Sequence, residues 1–147
     1  MNIINQFRMT VPARSSNESF ARAVVAAFSA QLDPTVNEVG DIKTAVSEAI
    51  TNCVVHAYNE KAGNIYITCS LTDTNELRIK IRDTGVGIED VKKAMEPSFT
   101  TVGGERSGLG FTLMMSFMDG VRVRSVPGRG TTVTMVKKKS PRYTIDG

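Results

Sequence analysis

The sequence has no tryptophan, one histidine (His56) and two cysteines, Cys53 and Cys69. So few nitrogen and sulfur ligands, at spacings that fit no metal motif or redox pair, exclude a zinc-ribbon or disulfide-stapled design. Each cysteine sits in an apolar run, so both read as buried reduced thiols. No apolar stretch approaches the ~18–20 residues that a spanning helix needs, and no signal-peptide pattern is present. The expected location is the cytoplasm, with no membrane partner. A strong charge bias is also lacking: the net charge is +3, with scattered Lys and Arg. The one dense cluster, Lys137-Lys138-Lys139, reads as a solvated strand end, and no direct nucleic-acid partner is expected. What remains is an ordinary globular composition over 147 residues, 41% hydrophobic and 22% charged. That is one domain, expected over residues 1–139, with a frayed tail at 140–147.

The patterning predicts an order of elements. Gln6 to Val11 alternates and reads as a strand. Ser15 and Glu18 fit a capping box for a helix whose apolar row is Phe20, Val24, Phe28 and Leu32, with Ala21 and Val25 beside it, ending near Asp33-Pro34. A second helix runs from about Val36 to about Tyr58, with Val39, Ile42, Val46, Ala49, Ile50, Cys53 and Val54 buried. Two alternating runs, Ile65–Leu71 and Leu77–Ile81, flank a turn at Thr72–Asn75 and predict a hairpin. Ile88–Met95 is a short helix candidate. Glu96–Ser107 has no period and reads as a functional loop. Phe111–Met118 is helical. A last hairpin joins Val121–Val126 to Thr131–Lys138 through Pro127-Gly128-Arg129-Gly130. Tight turns force antiparallel neighbours. The expected fold class is α+β, a two-layer sandwich with helices on one face of a mixed, mostly antiparallel sheet.

Three segments carry chemistry. Glu48, Asn52 and His56 recur every fourth residue on the second helix and form a polar ridge. The bland alternative is a half-solvated flank. The functional one is an amide oxygen for Mg²⁺ beside a carboxylate that takes a proton. Asp83-Thr84-Gly85-Val86-Gly87 follows a strand. It is either an Asp-initiated turn or a turn whose carboxylate meets the amine of adenine while its glycines admit a ligand. Ser107-Gly108-Leu109-Gly110 opens a helix and presents N–H groups to an anion. No Lys-Ser or Lys-Thr follows these glycines, which rules out a Walker loop. Asp90 occupies the third glycine position of a dinucleotide fingerprint. Arg106 is either an exposed loop residue or a ligand for a terminal phosphate.

The order of these segments resembles the ATP-binding fold shared by gyrase-type topoisomerases, Hsp90-type chaperones, sensor histidine kinases and MutL-type repair proteins. Asn17-Glu18-Ser19-Phe20-Ala21-Arg22, the stretch Val25–Thr35, Ser47-Glu48-Ala49 and Phe99-Thr100-Thr101 narrow the likeness. They resemble the anti-sigma F factors of spore-forming bacteria, and the similarity runs from about Phe7 to about Lys137. The resemblance implies a homodimer that binds ATP or ADP with Mg²⁺ and inhibits a sporulation sigma factor. It also implies serine-kinase activity on an anti-sigma antagonist protein. By the same resemblance Glu48 is the general base, Asn52 holds Mg²⁺, and Asp83 reads adenine with Gly85 and Gly87 beside it. Gly108, Leu109 and Gly110 line the phosphates, Thr100-Thr101 through Arg106 form a lid, and Arg22 contacts a partner. Relatives often carry Lys after the Phe-Thr-Thr run. Here Val102-Gly103-Gly104 follows, which leaves Arg106 to supply the charge. Two alternatives stand beside this reading: a nucleotide-dependent binding module without catalysis, and the catalytic part of a histidine sensor kinase. No dimerisation helix pair or phosphoacceptor region precedes the domain, which argues against the second. His56 reads as a packing residue rather than a phosphoacceptor.

Overall fold

Five runs of alternating apolar residues become five strands because each has one face to bury. The computed structural model describes residues 2–96 and 109–141. The strands are β1 (Ile3–Pro12), β2 (Asn64–Thr72), β3 (Glu76–Asp83), β4 (Gly120–Val126) and β5 (Gly130–Lys138). The helices are α1 (Asn17–Ser29), α2 (Val36–Thr51), the short α3 (Val91–Ala94) and α4 (Phe111–Phe117). A 3₁₀ turn, Ala30–Leu32, follows α1, and a π-helical segment, Asn52–Ala57, follows α2.

The strands form one sheet in the order β1-β2-β3-β5-β4. All neighbouring pairs among them are antiparallel. The fold class is as expected, but the sheet is not mixed. Strands β3 and β4 run the same way across the helical connection. The closing hairpin inserts β5 between them, so they never pair.

One sheet face is the core face. Ile65, Ile67 and Cys69 of β2 meet Leu77, Ile79 and Ile81 of β3 and Val133 and Met135 of β5, all essentially closed to solvent. Helices α1, α2 and α4 supply Val25, Ile42, Val46, Ile50, Phe111 and Met114 to the same core. Each such side chain contributes about 1.5–3 kcal/mol by leaving water.

The helix details differ from the sequence expectation in three places. In α1 the buried row is Ala21, Val25 and Ser29, while Phe20 is 52% exposed. The small row packs against α2, and Phe28 turns aside to meet Phe7 edge-on, with centroids 4.9 Å apart. Ser15 makes no capping box: the N-cap of α1 is Ser16, without a side-chain cap bond. Glu18 is drawn instead to Arg22 and Thr51. The capping box is at Thr35, whose hydroxyl accepts from Glu38 N–H at 3.1 Å while Thr35 N–H donates to the Glu38 carboxylate at 2.8 Å.

At the end of β5, Lys137 is buried rather than solvated. Its Nζ donates to the Phe117 carbonyl at 2.6 Å and lies 3.6 Å from the Asp41 carboxylate. It therefore neutralises the last turn of α4 and ties that helix to α2. Beyond it, the Ser140 hydroxyl donates to the Glu38 carboxylate.

The cap makes a direct test. Thr35→Ala removes half of the box, and urea unfolding should show a loss of about 1 kcal/mol with an unchanged m-value. An unchanged midpoint would mean that α2 is held by packing alone.

Candidate functional site

The site begins where α2 changes its winding. From Asn52 to Ala57 the backbone follows an i→i+5 pattern, with Tyr58 N–H donating to the Cys53 carbonyl at 3.0 Å. The uninterrupted helix expected from Val36 to Tyr58 is therefore a true α-helix only as far as Thr51. The wider turn takes three consecutive residues, Asn52, Cys53 and Val54, out of solvent, which an α-helical face does not do. Single π turns of this kind cluster at functional sites. The ridge Glu48-Asn52-His56 is split by burial: Glu48 is half-buried, Asn52 is 8% exposed and His56 is exposed.

Asn52 is held from one side only. Its Nδ2 donates to the Leu109 carbonyl at 2.6 Å, and its buried Oδ1 has no hydrogen-bond partner among the described residues. An orphaned buried amide oxygen costs about 1–3 kcal/mol. A buried amide oxygen in that state is a candidate to accept from a donor or to hold a hard cation.

Asp83 ends β3 and is 5% exposed. Its Oδ1 accepts from Gly85 N–H at 3.0 Å and from Thr131 N–H at 3.2 Å. Its Oδ2 accepts from the Cys53 thiol at 3.7 Å. Burial pushes the Asp83 carboxyl above its ordinary range, against the opposing pull of those N–H groups, the thiol and the Arg82 charge. The Cys53 thiol is pushed up by burial and by the Asp83 charge, so it is no nucleophile. Cys69, buried in β2, is pushed up to about 12 by burial and is equally inert.

The two turn glycines admit backbone rather than leaving open space. A Cβ on Gly85 would lie 2.3 Å from the Ala57 carbonyl oxygen, which accepts from Val86 N–H. Gly87 has φ +77°, and a Cβ there would lie 2.4 Å from the Val126 carbonyl oxygen. Tyr58 clamps the same turn: its hydroxyl accepts from Thr84 N–H at 2.8 Å and donates to the Asn64 carbonyl at 2.6 Å.

Gly110, with φ +65°, sits at the head of α4 directly over Glu48. A Cβ at that glycine would come within 2.3 Å of Glu48 Oε2. The second-helix carboxylate, Asn52, Leu109 and Gly110 thus converge, though 57 residues separate Asn52 from Leu109. Thr100, Thr101, Arg106 and Gly108 lie outside the described residues.

Asn52, Cys53, Asp83, Gly87, Leu109 and Thr131 line a cavity of about 30 Å³. That is one water's share of volume, so a base must part the lining side chains to enter. Cys53 and Thr131 escaped the sequence reading. Cys53 follows Asn52 and is recruited only by the π turn, and Thr131 reaches Asp83 only through the β3–β5 register.

Arg22 stands apart from this cavity. Its guanidinium donates to Ser47 Oγ at 3.0 Å and lies 3.6 Å from Glu18, whose carboxylate accepts from the Thr51 hydroxyl at 3.1 Å. It rests on the residue before Glu48, between α1 and α2.

This arrangement has known relatives. A family model described as the histidine kinase-like ATPase domain matches residues 11–137. The chain is 55% identical over 138 residues to an anti-sigma F factor of Caldanaerobacter subterraneus subsp. tengcongensis, covering 93% of this chain and 96% of that one. It is 49% identical over 135 residues to an anti-sigma F factor of Clostridium acetobutylicum, covering 91% and 94%. Among solved structures, the RsbU and RsbW domains of Rv1364c from Mycobacterium tuberculosis superpose with a TM-score of 0.67. The identity is 18%, over 94% of this chain and 33% of that one. The catalytic domain of histidine kinase ThkA gives 0.57 at 15% identity, over 92% and 97%. These two share the fold. The chain belongs to the histidine kinase-like ATPase family and, within it, to the group of anti-sigma F factors.

A base amine at this turn would find its strongest acceptor in ionised Asp83. Its raised pKa means that this acceptor is lost, as pH falls, sooner than an exposed aspartate would be. Adenine-nucleotide affinity, measured by calorimetry from neutral to mildly acid pH, should fall in that direction. Asp83→Asn should lose about 10- to 100-fold at neutral pH and flatten the profile. Full affinity in that variant would remove Asp83 from base recognition.

Proposed function

We propose that this chain binds and inhibits a sporulation sigma factor, and that it uses Mg-ATP to phosphorylate a serine of an anti-sigma antagonist protein. One observation carries the catalytic half: the Oδ1 of buried Asn52, unpartnered among the described residues, one helical turn from a half-buried carboxylate, Glu48, that faces Gly110. Simple nucleotide binding needs no carboxylate at that place.

The donor set suits Mg²⁺, a hard cation that takes neutral amide oxygens together with phosphate oxygens. Asn52 would hold it, and the ion supplies charge neutralisation at the phosphates. The rest is done by the chain's own residues. Asp83 and the Thr131 and Gly85 N–H groups fix the base end. Leu109 and Gly110 would hold the phosphates near Glu48 together with Gly108, which lies outside the described residues, as do Thr100, Thr101 and Arg106, the residues expected to form the lid. Glu48 orients the serine hydroxyl and takes its proton as the serine oxygen–phosphorus bond forms and the bond to ADP breaks.

The sigma-factor half rests on membership among the anti-sigma F factors, with Arg22 presented on α1 as the partner contact. The chain would act as a homodimer in the cytoplasm. The edge strand β1, whose Ile3 and Ile4 are 57% and 67% exposed, is available to pair across a two-fold axis.

Labelled-phosphate transfer to a purified antagonist protein tests the proposal. Wild type should transfer, and Glu48→Gln should keep ADP affinity while losing about 10²- to 10⁴-fold in transfer rate. Asn52→Ala should weaken Mg-nucleotide binding itself. Binding without transfer in wild type would reduce the chain to a nucleotide-dependent binding module. Transfer at full rate in Glu48→Gln would take the base role from Glu48.

A further inference from the structure

The sheet face turned away from the helices carries an array of cations that the chain order conceals. The register aligns three rows across all five strands. The first is Gln6, Ser70, Arg78, Val136 and Gly120. The second is Arg8, Thr68, Lys80, Thr134 and Arg122. The third is Thr10, Tyr66, Arg82, Thr132 and Arg124. Six of these fifteen positions are cations and none is a carboxylate. The chain as a whole has 18 basic and 15 acidic residues. A third of its positive charge therefore lies in three rows of one face that themselves hold no acid. Glu76, bonded to Arg78 at 3.8 Å, stands at the margin.

The cations occupy β1, β3 and β4, and the strands between them present hydroxyls. Charges thus recur about 7 Å apart along β3 and roughly 10 Å apart across the sheet, at alternate strand spacings. Two shallow hollows, of about 620 and 560 Å³, run over this surface. Both are lined by Arg78 and Lys80; Arg122 and Arg124 border the first, Arg8 and Arg82 the second. The Arg82 guanidinium lies 4.1 Å over the Tyr66 ring, making a flat stacked platform in the third row.

We propose that this face binds the sugar–phosphate backbone of a nucleic-acid strand. Five of the six cations are arginines, whose planar forks match phosphate oxygens, and the intervening Thr hydroxyls are further donors to phosphate and sugar. The Arg82–Tyr66 platform offers a base a surface to stack on. A protein partner would need an apolar centre, and the three rows hold no large aliphatic residue except Val136. A second copy laid face to face would set six cations against six. The proposal is independent of the nucleotide site, which lies on the other side of the sheet.

Fluorescence anisotropy of a labelled single-stranded DNA with the full chain tests it. Neutralising about five phosphates predicts a loss in affinity of about 100-fold between about 50 and 200 mM salt. The double variant Lys80→Gln/Arg124→Gln should bind at least ten-fold more weakly with a shallower salt slope. The charge-matched control Lys92→Gln/Lys93→Gln, on α3, should not. Both variants should keep wild-type ADP affinity and melting temperature, so a failure here is separable from a failure of the kinase reading. No binding at the lower salt would overturn the proposal. So would equal weakening by both double variants, or equal competition by anionic lipid vesicles or polyglutamate at matched charge.

Discussion

The buried carboxylate of Asp83 is the fixed point of this structure. It sits where β3 ends, and the groups that satisfy it come from the turn after β3, from β5 and from the π turn of the second helix. Those segments are brought together because a buried carboxylate without such donors would cost several kcal/mol. The glycines of the turn, Tyr58 and the Ala57 carbonyl then tighten the same junction. The geometry of the candidate base pocket is thus a by-product of satisfying one charge.

Around that point the molecule separates two tasks by face. The apolar face of the sheet carries the helices, and the site forms at their ends, where α2 unwinds and α4 begins. Asn52 and Glu48 are anchored on packed helix rather than on loop, which fixes their positions. Arg22 is bonded to Ser47, and Glu18 to Thr51. The outer surface of α1 is thereby tied to the residues next to Glu48 and Asn52.

The opposite face obeys a different constraint. A sheet uncovered on one side must be kept from stacking, and an array of like charges does that. The same array, set in register with hydroxyls, presents donors of the kind that phosphate groups accept from.

Much of the fold was legible in the sequence. Period-two alternation located all five strands, and four-residue spacing located α1, α2 and α4, because one-sided burial leaves that imprint. The motifs around Glu48–Asn52, Asp83–Gly87 and Gly110 were legible as candidates, because glycines and helix-borne polar residues have few other uses at such places. The rest depended on tertiary structure. No local signal marks the π turn, which decides that Cys53 meets Asp83. Strand β5 enters between β3 and β4 by topology alone, which makes the sheet antiparallel and delivers Thr131 to Asp83. Lys137 reads as solvated in its run of three and is buried because α4 ends above it. The cations at 8, 78, 80, 82, 122 and 124 look scattered along the chain. Strand register alone makes them neighbours, since hydrogen bonding between strands, not sequence distance, sets which side chains share a surface.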